Sequence, residues 1–234
     1  MPYRGVIFDL YGTLIDGWTS READQRVREL GEALGVPLAP FVELMELTYT
    51  ERATGQLGDV APMLRELCQR AGHHPSERAL AHAAELRVAQ FREVLSRPRP
   101  EVPSLLATLR DRGVRVGLIS DCSAETPRIW PELGWNLPVQ ASLFSWVEGR
   151  RKPDPELYRK ALRLLDLRPG ECLYVGDGGS QELTGAEAAG LAARRILYGN
   201  HLALEHMRYD PDQSWSGDAV TSLSEILPLV SGRG

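Results

Sequence analysis

The chain contains 234 residues, of which 43% are hydrophobic and 25% are charged, and these fractions are typical of a globular protein. They exclude a disordered or fibrous chain, and the length corresponds to one ordinary domain or to one domain with a sizeable insertion. The formal net charge of −5 argues against a broad basic surface for nucleic acid, while an anionic small molecule would need a local positive site.

The first predicted elements are one strand and a long helical stretch. The apolar run at 5–8, which is followed by Asp9, has the length of a buried strand. Helical periodicity then dominates as far as residue 97, and no convincing strand interrupts it. The helices predicted in this stretch cover residues 20–35, 39–53, 60–71 and 76–95. Prolines at positions 98, 100 and 103 mark its end.

Helices and short apolar strands alternate after these prolines. The predicted strands cover residues 114–119, 139–145, 172–175 and 193–197. The predicted helices cover residues 101–112, 124–133, 154–166, 180–190 and 222–230. Such alternation is typical of a parallel sheet with helices on both faces. We therefore predict an α/β fold, with a doubly wound parallel sheet formed by residues 1–16 and 98–234 and an all-helical cap domain inserted at 17–97.

Polar clusters follow four of the predicted strands. Ligands of an open parallel sheet bind at the carboxyl ends of its strands, so residues that follow different strands meet at one edge. The clusters lie at 9–13, 120–123, 150–155 and 176–182. Their convergence at one edge of the sheet is the strongest functional signal in the sequence.

The residues of these clusters resemble the four motifs of the haloacid dehalogenase-like hydrolase superfamily. The matching residues are Asp9-Leu10-Tyr11-Gly12-Thr13 for the first motif, Ser120 for the second, Lys152 for the third, and Gly176-Asp177 with Glu182 for the fourth. The resemblance extends over almost the whole chain, because the helical stretch lies where this superfamily places its type 1 cap. It implies a hydrolase with a Rossmann-like core, an aspartate nucleophile and a site for Mg²⁺.

Asp9 and Asp177 are the central candidates for catalysis and metal binding. A carboxylate at the end of a buried strand can act as a nucleophile that forms a covalent intermediate, and we predict this role for Asp9. Carboxylates without histidine or thiolate partners suit Mg²⁺, so Asp9 and Asp177 are predicted to bind it. The resemblance implies that the backbone carbonyl of Tyr11 is a third ligand. Glu182 either adds a direct or water-mediated contact to the ion, or is an acidic residue favoured by the dipole of its helix.

Hydroxyl and cationic side chains are predicted to hold the substrate. Ser120 and Thr13 can donate hydrogen bonds to a phosphoryl or carboxylate oxygen, and capping of a turn is the alternative for both. Lys152 is one of two lysines among 27 basic residues, which favours a specific need for a compact ammonium group and a catalytic role. Asp121 and Tyr11 are further candidates for substrate binding because they belong to the same clusters.

The predicted cap offers one further candidate, Arg52, which lies in its least helical part at 50–59. Its guanidinium fork suits a substrate anion, and an exposed turn between helices is the alternative. The cysteines at 68, 122 and 172 match no metal or redox spacing, and no apolar run reaches the length of about 18 residues that indicates a membrane span. We expect a cytoplasmic monomer or homodimer that binds a small anion, without nucleic acid or membrane partners.

Tyr11 departs from the superfamily's phosphatases, which place there a second aspartate that protonates the leaving oxygen and activates water. A phenol with a pKa of about 10 does this poorly at neutral pH. One interpretation is a Mg²⁺-dependent phosphatase for a small phosphorylated metabolite, working best on good leaving groups such as acyl or aryl phosphates. The second is a metal-independent 2-haloacid dehalogenase, a subfamily with the same Asp-Leu-Tyr-Gly-Thr motif, because halide leaves without a proton. The third is a regulatory protein that binds phosphate and metal but catalyses weakly.

Two positions count against the dehalogenase interpretation. That subfamily has asparagine where this chain has Asp121 and Asp177. Phosphonate cleavage through a lysine imine in the cap is excluded, because no lysine precedes Lys152. The sequence therefore favours the phosphatase over the other two interpretations.

Overall fold

A computed structural model describes residues 2–198 and 209–232, and the strands within these ranges form one parallel sheet. Its order is β3-β2-β1-β4-β5-β6. The strands are β1 (Gly5–Phe8), β2 (Arg115–Ser120), β3 (Ala141–Phe144), β4 (Cys172–Gly176), β5 (Ala192–Ile196) and β6 (Ala219–Val220). The order reverses at β1, as expected for a doubly wound sheet, and this confirms the predicted fold class.

The helices divide into those between β1 and Pro98 and those that alternate with later strands. The first group is α1 (Ser20–Leu34), α2 (Leu38–Leu47), α3 (Tyr49–Ala53), α4 (Val60–Arg70) and α5 (Glu77–Leu95). The second group is α6 (Val102–Asp111), α7 (Glu125–Ile129), α8 (Ser145–Glu148), α9 (Pro155–Leu165) and α10 (Glu182–Ala188). Across the described residues, no helix is both long enough and apolar enough to cross a membrane.

Alternate side chains of β1 face two separate apolar clusters. Val6 and Phe8 lie in the cluster that includes Leu105 of α6, whereas Ile7 lies in the cluster that includes Leu162 of α9. All three strand side chains are buried, because β1 pairs with β2 on one side and β4 on the other and has helices on both faces. The fully apolar strand thus ends in the middle of the sheet's edge, where the polar clusters begin.

The helical insertion leaves the sheet after β1 and returns before α6. Its helices pack around an apolar cluster of their own, which includes Phe41 and Leu64. The C-terminal part of α5 instead joins the cluster against the sheet through Leu95. The two connections run side by side where Ile15 bridges Pro98. We propose that residues 17–97 form the cap predicted from the sequence, with this bridge at its base.

Three predicted helices differ from the observed ones. The helix predicted at 39–53 is interrupted at Thr48, whose hydroxyl donates to the carbonyl of Leu44 at 2.6 Å and competes with the helical hydrogen bonds. The helix predicted at 124–133 ends at Ile129, and a 3₁₀ turn with Pro131 follows. The prediction of a helix at 222–230 is wrong. A 3₁₀ turn, Leu223–Ile226, takes its place and ends before Pro228, and the short strand β6 precedes this turn.

Candidate active site

The site lies where the strand order reverses, at the carboxyl ends of β1 and β4. The parallel pairing of these strands continues beyond β1, since the backbone N–H of Asp9 donates to the carbonyl of Val175 at 2.9 Å. Asp177 follows β4 immediately, and the topology therefore brings Asp9 and Asp177 together. A Cβ at position 12 would lie 2.4 Å from Oδ2 of Asp177, and Gly12 has a φ of +83°. Glycine is thus required for the first loop to approach Asp177.

A buried lysine joins two of the carboxylates. The Nζ atom of Lys152 donates to Oδ1 of Asp9 at 2.6 Å and to Oε2 of Glu182 at 2.5 Å. Glu182 also accepts a hydrogen bond from the Tyr174 hydroxyl at 2.8 Å and one from the backbone N–H of Gly178 at 2.9 Å. Both oxygens of Glu182 are therefore occupied by the protein, and they hold the ammonium group beside Asp9. This positioning of Lys152 is a function of Glu182 that the sequence did not indicate.

The cluster carries more negative than positive charge. Burial, opposed by Lys152 and reinforced by Asp177, raises the pKa of Asp9 from 3.8 to about 6. Burial, together with the charge of Asp9, raises the pKa of Glu182 from 4.5 to about 8. Burial alone would lower the pKa of Lys152, but the carboxylates of Asp9 and Glu182 outweigh it and raise this pKa well above its usual range. The site therefore favours the binding of additional positive charge.

The oxygen ligands at this position fit a divalent cation. Single carboxylate oxygens of Asp9, Asp177 and Glu182 all lie within 4.8 Å of one another, and all three residues are buried. The Oδ2 atom of Asp9 is buried and makes no hydrogen bond to any described residue. An all-oxygen donor set of buried carboxylates is typical of a site for Mg²⁺. Lys152, Tyr174 and Gly178 occupy the oxygens of Glu182. The better placed side-chain ligands are therefore Asp9 and Asp177.

The raised carboxyl pKa values predict how stability depends on pH and on Mg²⁺. Between pH 5 and pH 8 the folded protein binds more protons at Asp9 and Glu182 than the unfolded chain does, so the free energy of unfolding falls as pH rises. We expect the melting temperature in EDTA to decrease across this range, and Mg²⁺ to oppose the decrease by neutralising the ionised carboxylates. Thermal melts at several pH values, with Mg²⁺ and with EDTA, measure both effects.

The matched variant for this experiment is Asp177→Asn, which removes one negative charge and one predicted ligand. This variant should show a smaller decrease of melting temperature with pH, and a smaller increase of melting temperature when Mg²⁺ is added. A melting temperature in EDTA that stays constant or rises between pH 5 and pH 8 would contradict the charge balance described above.

A pocket of about 240 Å³ opens over the carboxylates. Its lining combines residues of the loop after β1, the loop after β4, the helical insertion and the segment after residue 208. The lining residues are Asp9, Tyr11, Gly12, Asp16, Gly17, Trp18, Ala23, Tyr49, Asp121, Lys152, Asp177, Gly179, Ser180 and Tyr209. Five of the predicted candidates thus line one cavity that is large enough for a small molecule, namely Asp9, Tyr11, Asp121, Lys152 and Asp177.

Ser120, Thr13 and Asp121 lie around the carboxylates in different ways. Ser120 is the last residue of β2. The side-chain hydroxyl groups of Ser120 and Thr13 are both buried, and neither makes a hydrogen bond with any described residue. Asp121 accepts a hydrogen bond from the backbone N–H of Lys152 at 3.0 Å, which ties the second and third clusters together. An unsatisfied buried hydroxyl at the end of β2, the strand beside β1, is suited to a substrate oxygen.

The structure does not bring Arg52 into the pocket. Its guanidinium group donates to the carbonyl of Met45 at 2.5 Å and to the hydroxyl of Thr48 at 3.4 Å, so it completes the end of α2. Burial lowers the pKa of Arg52 to about 10. The neighbouring Tyr49 lines the pocket instead.

Tyr11 presents its ring to the pocket, but its hydroxyl is turned into the protein. The hydroxyl shares a 2.9 Å hydrogen bond with Oγ1 of Thr126, and burial raises the pKa of Tyr11 well above its usual range. Next to Thr126, the guanidinium of Arg87 from α5 forms a buried ion pair with Glu125 of α7. A phenol with a raised pKa whose hydroxyl is already hydrogen-bonded inside the protein is poorly suited to serve as the acid or base of a hydrolysis. The position normally used for that group is therefore occupied by a structural residue.

Sequence reasoning missed two aromatic residues of the pocket. Tyr49 lies at the start of α3, within a stretch that was predicted as one continuous helix, so no feature separated it from the packing residues around it. Tyr209 lies in a stretch for which the sequence predicts no element, just beyond residues 199–208, which the structure does not describe.

Known proteins similar to this chain are phosphatases and dehalogenases. A phosphoserine phosphatase of Thermus thermophilus is 34% identical over an alignment of 186 residues that covers 72% of this chain and 72% of that one. A glyceraldehyde 3-phosphate phosphatase of Methanopyrus kandleri is 27% identical over 164 residues, 69% of each chain. The structure of a 2-haloacid dehalogenase from Pseudomonas syringae superposes with a TM-score of 0.67 at 23% identity, covering 97% of this chain and 98% of that one.

A family model described as haloacid dehalogenase-like hydrolase matches residues 3–190, which include Asp9, Ser120, Lys152, Asp177 and Glu182. The match includes both the sheet residues that carry the site and the helical insertion above it. The chain belongs to the haloacid dehalogenase-like hydrolase family.

Proposed function

We propose that this hydrolase is a Mg²⁺-dependent phosphatase that acts on a small phosphorylated metabolite through the nucleophile Asp9. The observation that carries the proposal is the unsatisfied, buried Oδ2 of Asp9, which faces a pocket beside Asp177 while Oδ1 is held by Lys152. One oxygen of the carboxylate is fixed and the other is available for attack. The phosphatase relatives support phosphate as the group transferred.

In the proposed reaction, Oδ2 of Asp9 attacks phosphorus, and the bond between phosphorus and the leaving oxygen breaks. Lys152, held in place by Glu182, neutralises negative charge on the transferred phosphoryl group. The hydroxyl of Ser120 donates to one of its oxygens. Asp9 and Asp177, with the carbonyl of Tyr11, would hold Mg²⁺, which when bound neutralises further charge on the phosphoryl oxygens. Water then hydrolyses the aspartyl phosphate and restores Asp9.

The leaving group has to depart without help from position 11. Because the Tyr11 hydroxyl is bonded to Thr126 and buried, it does not protonate the leaving oxygen. A positioned acid typically contributes about 10²–10⁴-fold in rate, so alkyl phosphates should react slowly. Acyl and aryl phosphates, whose leaving groups are stable anions, are the substrates that this site handles best.

A metal-independent 2-haloacid dehalogenase is the second candidate, and Tyr11 is the observation that favours it. Halide leaves without a proton, so a structural tyrosine at this position would not slow the reaction. Against it stands Asp177, a further buried carboxylate beside Asp9 and Glu182 that a reaction without a cation does not require. A protein that binds phosphate and metal but turns over slowly is the third.

One assay separates the three functions. Purified protein is incubated with p-nitrophenyl phosphate or with L-2-chloropropionate, each with Mg²⁺ and with EDTA. We expect release of phosphate that depends on Mg²⁺ and no release of chloride. Chloride release that EDTA does not change would overturn the phosphatase. Absence of both products, with binding of Mg²⁺ and inorganic phosphate retained in calorimetry, would identify the third function.

A further inference from the structure

The pocket is lined in part by two tyrosines that come from different parts of the chain and contact each other. Tyr49 belongs to α3 of the helical insertion, and Tyr209 belongs to the segment between β5 and β6. Their ring centroids are 4.2 Å apart, with an angle of 31° between the rings. Trp18 and the ring of Tyr11 line the same pocket. The space above Asp9 is therefore bordered by aromatic surfaces as well as by carboxylates.

Tyr209 is fixed to the loop that carries Asp177. Its carbonyl accepts a hydrogen bond from the backbone N–H of Ser180 at 2.7 Å, and the carbonyl of Asp210 accepts one from Gln181 at 2.9 Å. Asp212 extends the attachment, since its carboxylate accepts hydrogen bonds from the first turn of α10. The backbone of Tyr209 thus has a defined position relative to the nucleophile.

The guanidinium group of Arg151 lies close to both rings. Its guanidinium carbon lies 4.6 Å from the ring centroid of Tyr209 and 5.6 Å from that of Tyr49, both within the range of a cation–π interaction. Its Nε lies 3.6 Å from the Asp121 carboxylate, and it directly precedes Lys152. The ring pair is therefore connected to the same loop that places the catalytic lysine.

We propose that the substrate is an aryl phosphate monoester, whose aromatic leaving group packs against the Tyr49–Tyr209 ring pair. The inference rests on the proposed phosphatase function and specifies its substrate class. Two independent observations meet in it. The buried Tyr11 hydroxyl requires a leaving group that departs as a stable anion, and the ring pair provides a surface that matches a planar, apolar ring. An acyl phosphate satisfies the first requirement only.

The chemical step balances without any further reactant. A bond forms between an oxygen of Asp9 and phosphorus, and the bond between phosphorus and the aryl oxygen breaks. The leaving phenolate takes both electrons of that bond and then a proton from water. Hydrolysis of the aspartyl phosphate releases inorganic phosphate and regenerates the carboxylate.

The test compares two substrates that both have good leaving groups, one with an aromatic ring and one without. The kcat/KM of p-nitrophenyl phosphate is divided by that of acetyl phosphate, both measured with Mg²⁺. We expect a ratio above one for the wild type, about a tenfold lower ratio for Tyr209→Ala, and a wild-type ratio for Tyr209→Phe, which retains the ring. Tyr209 is 44% exposed, so the alanine variant should fold, and thermal melts verify this.

The results distinguish failure of the aryl specificity from failure of the phosphatase function. If acetyl phosphate is hydrolysed but the ratio is below one, or if Tyr209→Ala leaves the ratio unchanged, the aryl specificity is wrong while the phosphatase function stands. If neither phosphate is hydrolysed, the phosphatase function fails and the inference fails with it. A lower ratio in Tyr209→Phe as well would show that the hydroxyl, and not the ring, makes the contact, and would also overturn the inference.

Discussion

Replacing Asp9 by asparagine should abolish phosphate release, with kcat lower by roughly 10⁴-fold or more. An amide is not a nucleophile toward phosphorus, so the first bond of the reaction cannot form. The amide oxygen can still accept the hydrogen bond from Lys152, and the loss of one buried negative charge relieves the crowding with Asp177 and Glu182. We therefore expect the variant to fold with at least the thermal stability of the wild type.

The measurements for Asp9→Asn are initial rates of phosphate release and a thermal melt of the same sample. Asp111→Asn, which removes an exposed carboxylate far from the pocket, is the matched control and should retain full activity. Intact-mass analysis of the wild type, quenched in acid during turnover, should reveal a phosphoryl adduct that the Asp9 variant lacks. Activity of Asp9→Asn within tenfold of the wild type would refute the covalent mechanism.

Replacing Tyr11 by aspartate should increase the hydrolysis of alkyl phosphates by about 10²-fold, and should increase that of aryl phosphates much less. The new carboxyl group would restore an acid at the position where the superfamily's phosphatases carry one. Alkoxide leaving groups need that proton, whereas phenolates do not. The kcat values of an alkyl phosphate such as glycerol phosphate and of p-nitrophenyl phosphate, measured side by side, give the difference.

The control for this experiment is Tyr11→Phe, which removes only the hydroxyl and its hydrogen bond to Thr126. It should leave both rates close to those of the wild type, because the hydroxyl has no part in the chemistry. The aspartate variant loses the packing of the Tyr11 ring against the sheet cluster, so rates are normalised to the folded fraction. A large loss of activity in Tyr11→Phe would contradict the structural role assigned to this hydroxyl.

The placement of several candidate residues at the ends of strands could be predicted from local sequence. Asp9, Ser120 and Asp177 each end or follow a short apolar strand, and the alternation of strands and helices is sufficient to bring such strand ends together. Lys152 lies on a loop. It became a candidate because lysine is scarce in the composition and because the chain resembles a known family. These signals depend on order along the chain and not on side-chain packing.

The parts that depend on side-chain packing could not be predicted. The ion pair between Glu182 and Lys152 requires the exact approach of α10 to the loop after β3, which periodicity does not specify. Arg52 has the charge and flexibility of an anion ligand, but the break at Thr48 directs its guanidinium to a backbone carbonyl. Tyr209 lies in a stretch without periodicity, and only the hydrogen bonds to the Asp177 loop reveal its position.

The buried ion pair between Arg87 and Glu125 affects how the pocket can be opened. Arg87 belongs to α5, the last helix of the insertion, while Glu125 belongs to α7 beside the sheet. Separating them would leave a charge uncompensated in the interior, at a cost of about 3–5 kcal/mol. A swing of the whole insertion about its two connections is therefore unfavourable. A movement that left α5 behind would instead separate Leu80 of α5 from the apolar cluster that it shares with Leu30 of α1 and Leu64 of α4.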